Sequence, residues 1–125
     1  MIKIVLAGMA PAKKNSKRWI QRGGLRFLVP SERHETWHGG AFVEVLRQTK
    51  GVRQKMPLNV QKIEMTFYCA DKRRRDSTNC AESIMDLLVD VGVIKDDNMI
   101  EVPELRLVYG GVVKENARTE IIIYL

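Results

Sequence analysis

Hydrophobic and polar positions alternate, then cycle, then alternate again along this chain. Ile2 to Leu6 alternates with the two-residue period of a strand. Met9 to Gly24 loses that pattern and reads as a basic loop. Leu25 to Val29 resumes as a short strand, closing a hairpin across Gly23-Gly24. Pro30-Ser31 opens a helix with Ser31 as N-cap, and Trp37, Ala41, Phe42, Val45 and Leu46 follow at helical spacing. Gly39-Gly40 is expected to interrupt it, at about 1 kcal/mol each relative to Ala, with close backbone packing as one compensation.

Asn59 to Tyr68 is the next strand, and Asp71 to Asp76 a charged loop. The clearest helix spans Asn79 to Val91, with Ala81, Ile84, Met85, Leu88 and Val91 on one face and Gly92 as the stop. Asn79-Cys80-Ala81-Glu82 fits a capping box with Glu82 at the third helical position. Lys95 to Asn98 forms a polar turn. Leu105, Leu107 and Tyr109 alternate, Gly110-Gly111 is expected to turn the chain, and Thr119 to Leu125 ends it as a strand. Isoleucines facing both ways at Ile121-Ile122-Ile123 place that strand centrally, buried on both faces. The order ββαβαββ predicts an α+β fold, one mixed sheet with two main helices packed on it. A length of 125 residues predicts one domain, residues 1–125.

Charge changes the picture. The net charge is +6, but unevenly spread. Residues 1–55 carry twelve Lys/Arg and three Asp/Glu, whereas residues 56–125 carry nine and twelve. A basic surface attracts a polyanion, since phosphate contacts supply most non-specific DNA affinity. An acidic cluster inside a basic protein asks for another explanation, such as a bound cation. No apolar run approaches the roughly 20 residues of a membrane span. The N-terminal apolar stretch is short, with Lys13-Lys14 on the wrong side of it for a signal peptide, so a cytoplasmic protein is expected. Cys69 and Cys80 form no CxxC pair and read as core residues.

Asp76, Glu82, Asp86, Asp96 and Asp97 fall close together, and Glu82, Asp86 and Asp90 share a helical face. Mg²⁺ takes one or two carboxylates plus waters and a substrate phosphate, so such a group suits phosphodiester hydrolysis. The bland reading is a cap, a solvated helix face and a turn. Asp76 and Asp97 meet only if the loop after the helix folds back. A second pattern, His34-Glu35-Thr36-Trp37-His38, matches the zinc-protease H-E-x-x-H, but the chain holds no third histidine as a ligand, and both rings fall beside the core stripe.

Arg73-Arg74-Arg75-Asp76-Ser77-Thr78-Asn79 resembles the Arg-rich D-x-D-N motif of the RusA-type Holliday junction resolvases. Val91-Gly92-Val93-Ile94-Lys95-Asp96-Asp97-Asn98-Met99-Ile100 resembles the family's G-x-x-x-D-D-x-x-I segment at the right separation, and Pro11-Ala12-Lys13-Lys14-Asn15 its Pro-rich opening. The resemblance implies a homodimeric, cytoplasmic, prokaryotic or phage-encoded endodeoxyribonuclease that nicks four-way DNA junctions with Mg²⁺ or Mn²⁺. It implies catalysis by Asp76 and Asp97, with Asp96 beside them at the metal. Two departures stand out: Thr78 replaces the second motif aspartate, and Glu82 replaces a lysine. We take Glu82 as the replacement ligand, joining the catalytic and metal-binding groups. Lys13, Lys14, Lys17, Arg18, Lys72, Arg73, Arg74 and Arg75 are the expected DNA contacts. Trp19 and Phe27 carry two readings, bases stacked at an opened junction or core packing. A non-catalytic branched-DNA-binding relative and a nuclease for other branched DNA remain as alternatives.

Overall fold

Asp76 begins the helix that organises the fold. The computed structural model describes residues 1–13 and 17–125; Lys14, Asn15 and Ser16, including the Lys14 expected to bind DNA, lie outside the described residues. The secondary structure runs β1 (Ile2–Ala7), β2 (Lys17–Arg22), β3 (Leu25–Pro30), α1 (Glu32–Gln48), β4 (Lys62–Cys69), α2 (Ser77–Val91), β5 (Leu105–Val112) and β6 (Arg118–Tyr124). Four strands form a mixed sheet in the order β1-β6-β4-β5, with β4 and β5 parallel and the other pairs antiparallel. Both helices pack on one face of it, giving the expected α+β architecture. The unit β4-α2-β5 is a parallel crossover, which requires a connection as long as a helix.

Burial follows the two-residue strand period. In β4, Ile63, Met65, Phe67 and Cys69 are buried, and in β6, Thr119, Ile121 and Ile123. From α2 come Cys80, Ala81, Ile84, Met85, Leu87 and Leu88, and from α1 Ala41 and Val45. β6 is central, as expected, but it is buried on one face only: Ile122 is half-buried among charges. That open face holds ion pairs instead, Lys3 to Glu120 at 2.8 Å, Arg118 to Glu120 at 2.8 Å and Arg106 to Glu64 at 3.1 Å.

Several boundaries differ from the sequence expectation, each for a local reason. Lys17–Arg22, expected as loop, pairs with Leu25–Pro30 as a second, two-stranded sheet apart from the main one. Its alternation is masked because both of its faces carry polar and apolar residues. Gly39-Gly40 does not break α1, which is continuous from Glu32 to Gln48 behind its Ser31 cap. Close packing is not the compensation, since an added Cβ at either glycine would meet nothing within 4 Å. Burial of Ala41 and Val45 on the sheet side sustains the helix instead. Gly110-Gly111 lies inside β5 rather than at a turn. The β4–β5 register slips there, pairing Phe67 with Tyr109 and Tyr68 with Gly111, so Gly110 is the extra residue of a bulge. A Cβ at Gly110 would stand 2.7 Å from the Tyr68 ring, and the Arg118 guanidinium lies 4.0 Å from that ring's centroid.

Candidate active site

Helix α2 starts three residues earlier than the capping-box pattern suggests. Asp76 is its N-cap, in extended backbone. Its Oδ1 accepts from Thr78 N–H at 3.0 Å, from the Thr78 hydroxyl at 2.6 Å and from Asn79 N–H at 3.5 Å. Its Oδ2 accepts from the Asn79 side-chain amide at 3.2 Å. A carboxylate here satisfies helix-end N–H groups and meets the positive end of the helix dipole. Glu82 therefore sits in the second turn, outside any cap, and its side chain is left for other use.

The chain leaves α2 through Gly92, at φ 92°, whose left-handed conformation ends the helix. The loop beyond it folds back along α2, which is the condition the sequence left open. It brings Asp97 to a cavity of about 230 Å³ lined by Thr78, Ala81, Glu82, Met85, Asp97, Leu105 and Leu107. Asp97 and Glu82 thus face one space, with the Thr78 hydroxyl beside them. Asp76 is not a lining residue, but it is joined to the cavity through Thr78. Asp96 is exposed outside it, accepting from Asp97 N–H at 2.7 Å and from the Asn98 amide at 3.4 Å.

These contacts push the neighbouring acids apart. The Asp97 N–H bond chiefly holds the Asp96 carboxyl below its ordinary value. Desolvation first, then the side-chain bond with Asp96, then the charges of Asp96 and Asp86, push Asp97 above it. Asp97 is thus the stronger base of the pair. Among the described residues no three of His, Cys, Asp and Glu form a ready-made metal cage. The donor set still fits a hard cation such as Mg²⁺, which needs only one or two carboxylates and keeps its waters. Glu82, Asp97 and the Thr78 hydroxyl are the oxygen donors that would hold it.

The acidic row continues down α2, where bases already meet it. Lys13 Nζ lies 2.7 Å from Asp86 Oδ2. That bond chiefly raises the Lys13 ammonium above its ordinary value, with Glu82 and Asp97 adding attraction. The buried Ser83 hydroxyl donates to the Pro11 carbonyl at 2.6 Å, pinning the segment that carries Lys13. His38 Nε2 lies 2.8 Å from Asp90, and the two histidines stack with centroids 6.2 Å apart. Both histidines, with Lys13, Asp86 and Asp90, line a separate cavity of about 420 Å³.

The predicted DNA contacts divide by their partners. Arg18 is engaged with Glu32 at 3.0 Å and Glu35 at 3.9 Å. Arg75 reaches Asp71 at 2.8 Å and the Asp71 and Arg73 carbonyls, so it braces the loop before α2. Arg73 keeps a longer contact with Asp71, 3.7 Å, and is highly exposed. Lys17, Lys72 and Arg74 are exposed and make no ion pair among the described residues. Arg73 and Arg75 also line a cavity of about 320 Å³ with Phe67, Ser77, Leu107 and Tyr109. Leu107 is common to this space and to the one holding Asp97. Sequence reasoning missed Arg26 and Tyr109, both exposed. Arg26 was discoverable from the absence of any acid between Lys17 and Pro30, but Tyr109 looked like an ordinary strand residue.

The crossover junction endodeoxyribonuclease RusA of Aquifex aeolicus (strain VF5) is 31% identical over 90 residues, 72% of this chain and 68% of that protein. The chain belongs to the RusA family. No family model matches it. Membership agrees with the motif resemblance and with the α+β fold. In this RusA-family chain Thr78, which stands where the motif has its second aspartate, lines the cavity with the Glu82 that stands where a lysine is expected.

Proposed function

We propose that this chain is a divalent-metal-dependent endodeoxyribonuclease that nicks four-way DNA junctions, working as a homodimer. The observation that carries the reading is the meeting of Glu82 and Asp97 in one cavity beside the Asp76-capped start of α2, in a RusA-family chain. Asp76, Glu82 and Asp97, with Asp96 alongside, are the candidate metal and catalytic group. When bound, Mg²⁺ or Mn²⁺ supplies charge neutralisation at the scissile phosphate and a lowered pKa for attacking water. Asp97 and Glu82 would hold that ion through their carboxylates. Thr78 donates to Asp76 and keeps its Oδ1 oriented. Lys72, Arg73 and Arg74 offer positive charge to the neighbouring phosphates, and Arg75 holds their loop.

Nicking of a synthetic four-way junction with Mg²⁺ tests the reading, with Asp76→Asn and Glu82→Gln beside wild type. Loss of nicking in both variants supports it. Full activity in Glu82→Gln removes Glu82 from the metal group. Mg²⁺ should also raise the melting temperature of wild type and not of Asp97→Asn, a readout independent of cleavage. One observation favours a second reading, a junction-binding protein without catalysis: Thr78 brings no charge to the position of a motif aspartate. Tight junction binding with no nicking under Mg²⁺ or Mn²⁺ would select it.

A further inference from the structure

The β2–β3 hairpin exposes what a folded chain normally hides. Its strands contain Lys17, Arg18, Arg22 and Arg26 and no acid. Directly opposed residues of an antiparallel pair share a face. The register pairs Lys17 with Pro30, Trp19 with Leu28 and Gln21 with Arg26, and all six of these residues are exposed. The opposite face carries Ile20 and Val29, both half-buried, exposed Arg22, Leu25 and Phe27 towards the tip, and Arg18, which ties the hairpin to Glu32 and Glu35 of α1. Trp19 is 60% exposed and Leu28 50%. The Arg26 guanidinium lies 4.8 Å from the Trp19 ring centroid, bracing the indole from one side. An exposed apolar patch with a basic rim marks an interaction site rather than a core.

We propose that this hairpin is an arm that receives an unstacked base at the branch point of DNA, with the Trp19 ring as the stacking platform. This rests on the junction-nuclease reading and names the part of the substrate that the arm takes. Charge complementarity selects the partner, because cations flank the ring without an acid, and a second copy of this face would bring like charges together. Aromatic rings beside cations fit nucleotides, which offer a π-face and a phosphate together. A continuous duplex keeps its bases stacked and offers this face only phosphates; a branch offers both. The arm's base is also near the cleavage cavity. Lys17 and Pro30 share a cavity with Asp86 and Asp90, and Asp86 is one turn of α2 from Glu82, about 6 Å along the axis.

The test uses the full chain, without divalent metal, on a four-way junction and on a linear duplex of the same sequence. Trp19→Ala should weaken junction binding by about ten-fold or more, with duplex affinity changed less than about two-fold and Trp19→Phe recovering most of the loss. In Trp37→Phe, which leaves Trp19 as the sole tryptophan, junction binding should quench the emission. Circular dichroism and sedimentation accompany each variant. Junction affinity untouched in Trp19→Ala, equal loss on junction and duplex, absence of quenching, or loss that follows a change in oligomeric state would each overturn the arm. The last of these would assign the face to a second copy. If wild type binds junction and duplex equally, the junction reading itself fails; if wild type prefers the junction and Trp19→Ala keeps that preference, only the arm does.

Discussion

Asp76 serves two purposes that substitution separates. Its carboxylate caps α2, and the proposed chemistry also needs its charge. Asparagine caps a helix about as well as aspartate, whereas alanine costs about 1 kcal/mol. Asp76→Asn should therefore melt close to wild type, and Asp76→Ala roughly 3–6 °C lower. Neither should nick a junction, and thermal melts beside a cleavage gel read both effects. His34 gives a second residue-scale expectation. Burial first, then the His38 charge, lower its pKa, and its buried Nε2 has no hydrogen-bond partner among the described residues. The folded state thus resists a proton that the unfolded chain accepts at an ordinary pKa of 6.5. Its share of stability is present above that value and lost as pH falls from about 6.5 towards the lowered folded value. Melting temperature should fall between pH 7 and pH 5.5 in wild type, and less in His34→Gln.

At the scale of elements, α1 shows that tertiary burial overrides propensity. Two adjacent glycines predict an interruption, yet Ala41 and Val45, buried beyond them, hold the helix against the sheet. Gly40 is exposed, and a Cβ there meets nothing within 4 Å. Gly40→Ala should then stabilise by about 0.5–1 kcal/mol, seen as a higher denaturant midpoint at unchanged slope. A lowered midpoint would mean that the glycine serves packing after all. The glycines of β5 teach the converse. Gly110 is needed where the Tyr68 ring crosses the bulge, which the sequence disguises as a turn.

Over the whole molecule, charge is divided between use and restraint. Lys13, Arg18 and Arg75 are held by Asp86, Glu32 and Asp71, so they shape the surface and neutralise its acids. Lys17, Lys72 and Arg74 make no ion pair among the described residues and are left for phosphate. A slope of about −0.9 is expected per phosphate contact in a plot of log affinity against log salt. Lys72→Ala with Arg74→Ala should flatten that plot by about two contacts for junction DNA, measured by titration at several salt concentrations. An unchanged slope would move the DNA path away from this loop. Among the described residues no helix is long and apolar enough to cross a membrane.

Local pattern settled much of this protein. The period-two strands, the Ser31 cap, the α2 apolar face, the Gly92 stop and the two spaced acidic motifs are written in neighbouring residues, because period and capping are local physics. Asp76 as cap rather than Asn79, the hairpin standing apart, and one-sided burial of β6 were decided by the fold. So was the meeting of Asp97 with Glu82, since it depends on a loop returning along a helix. That return joins residues fifteen positions apart, through contacts that no sequence window contains. Which cations stay unpaired was settled the same way, because an ion pair forms only after distant elements have packed.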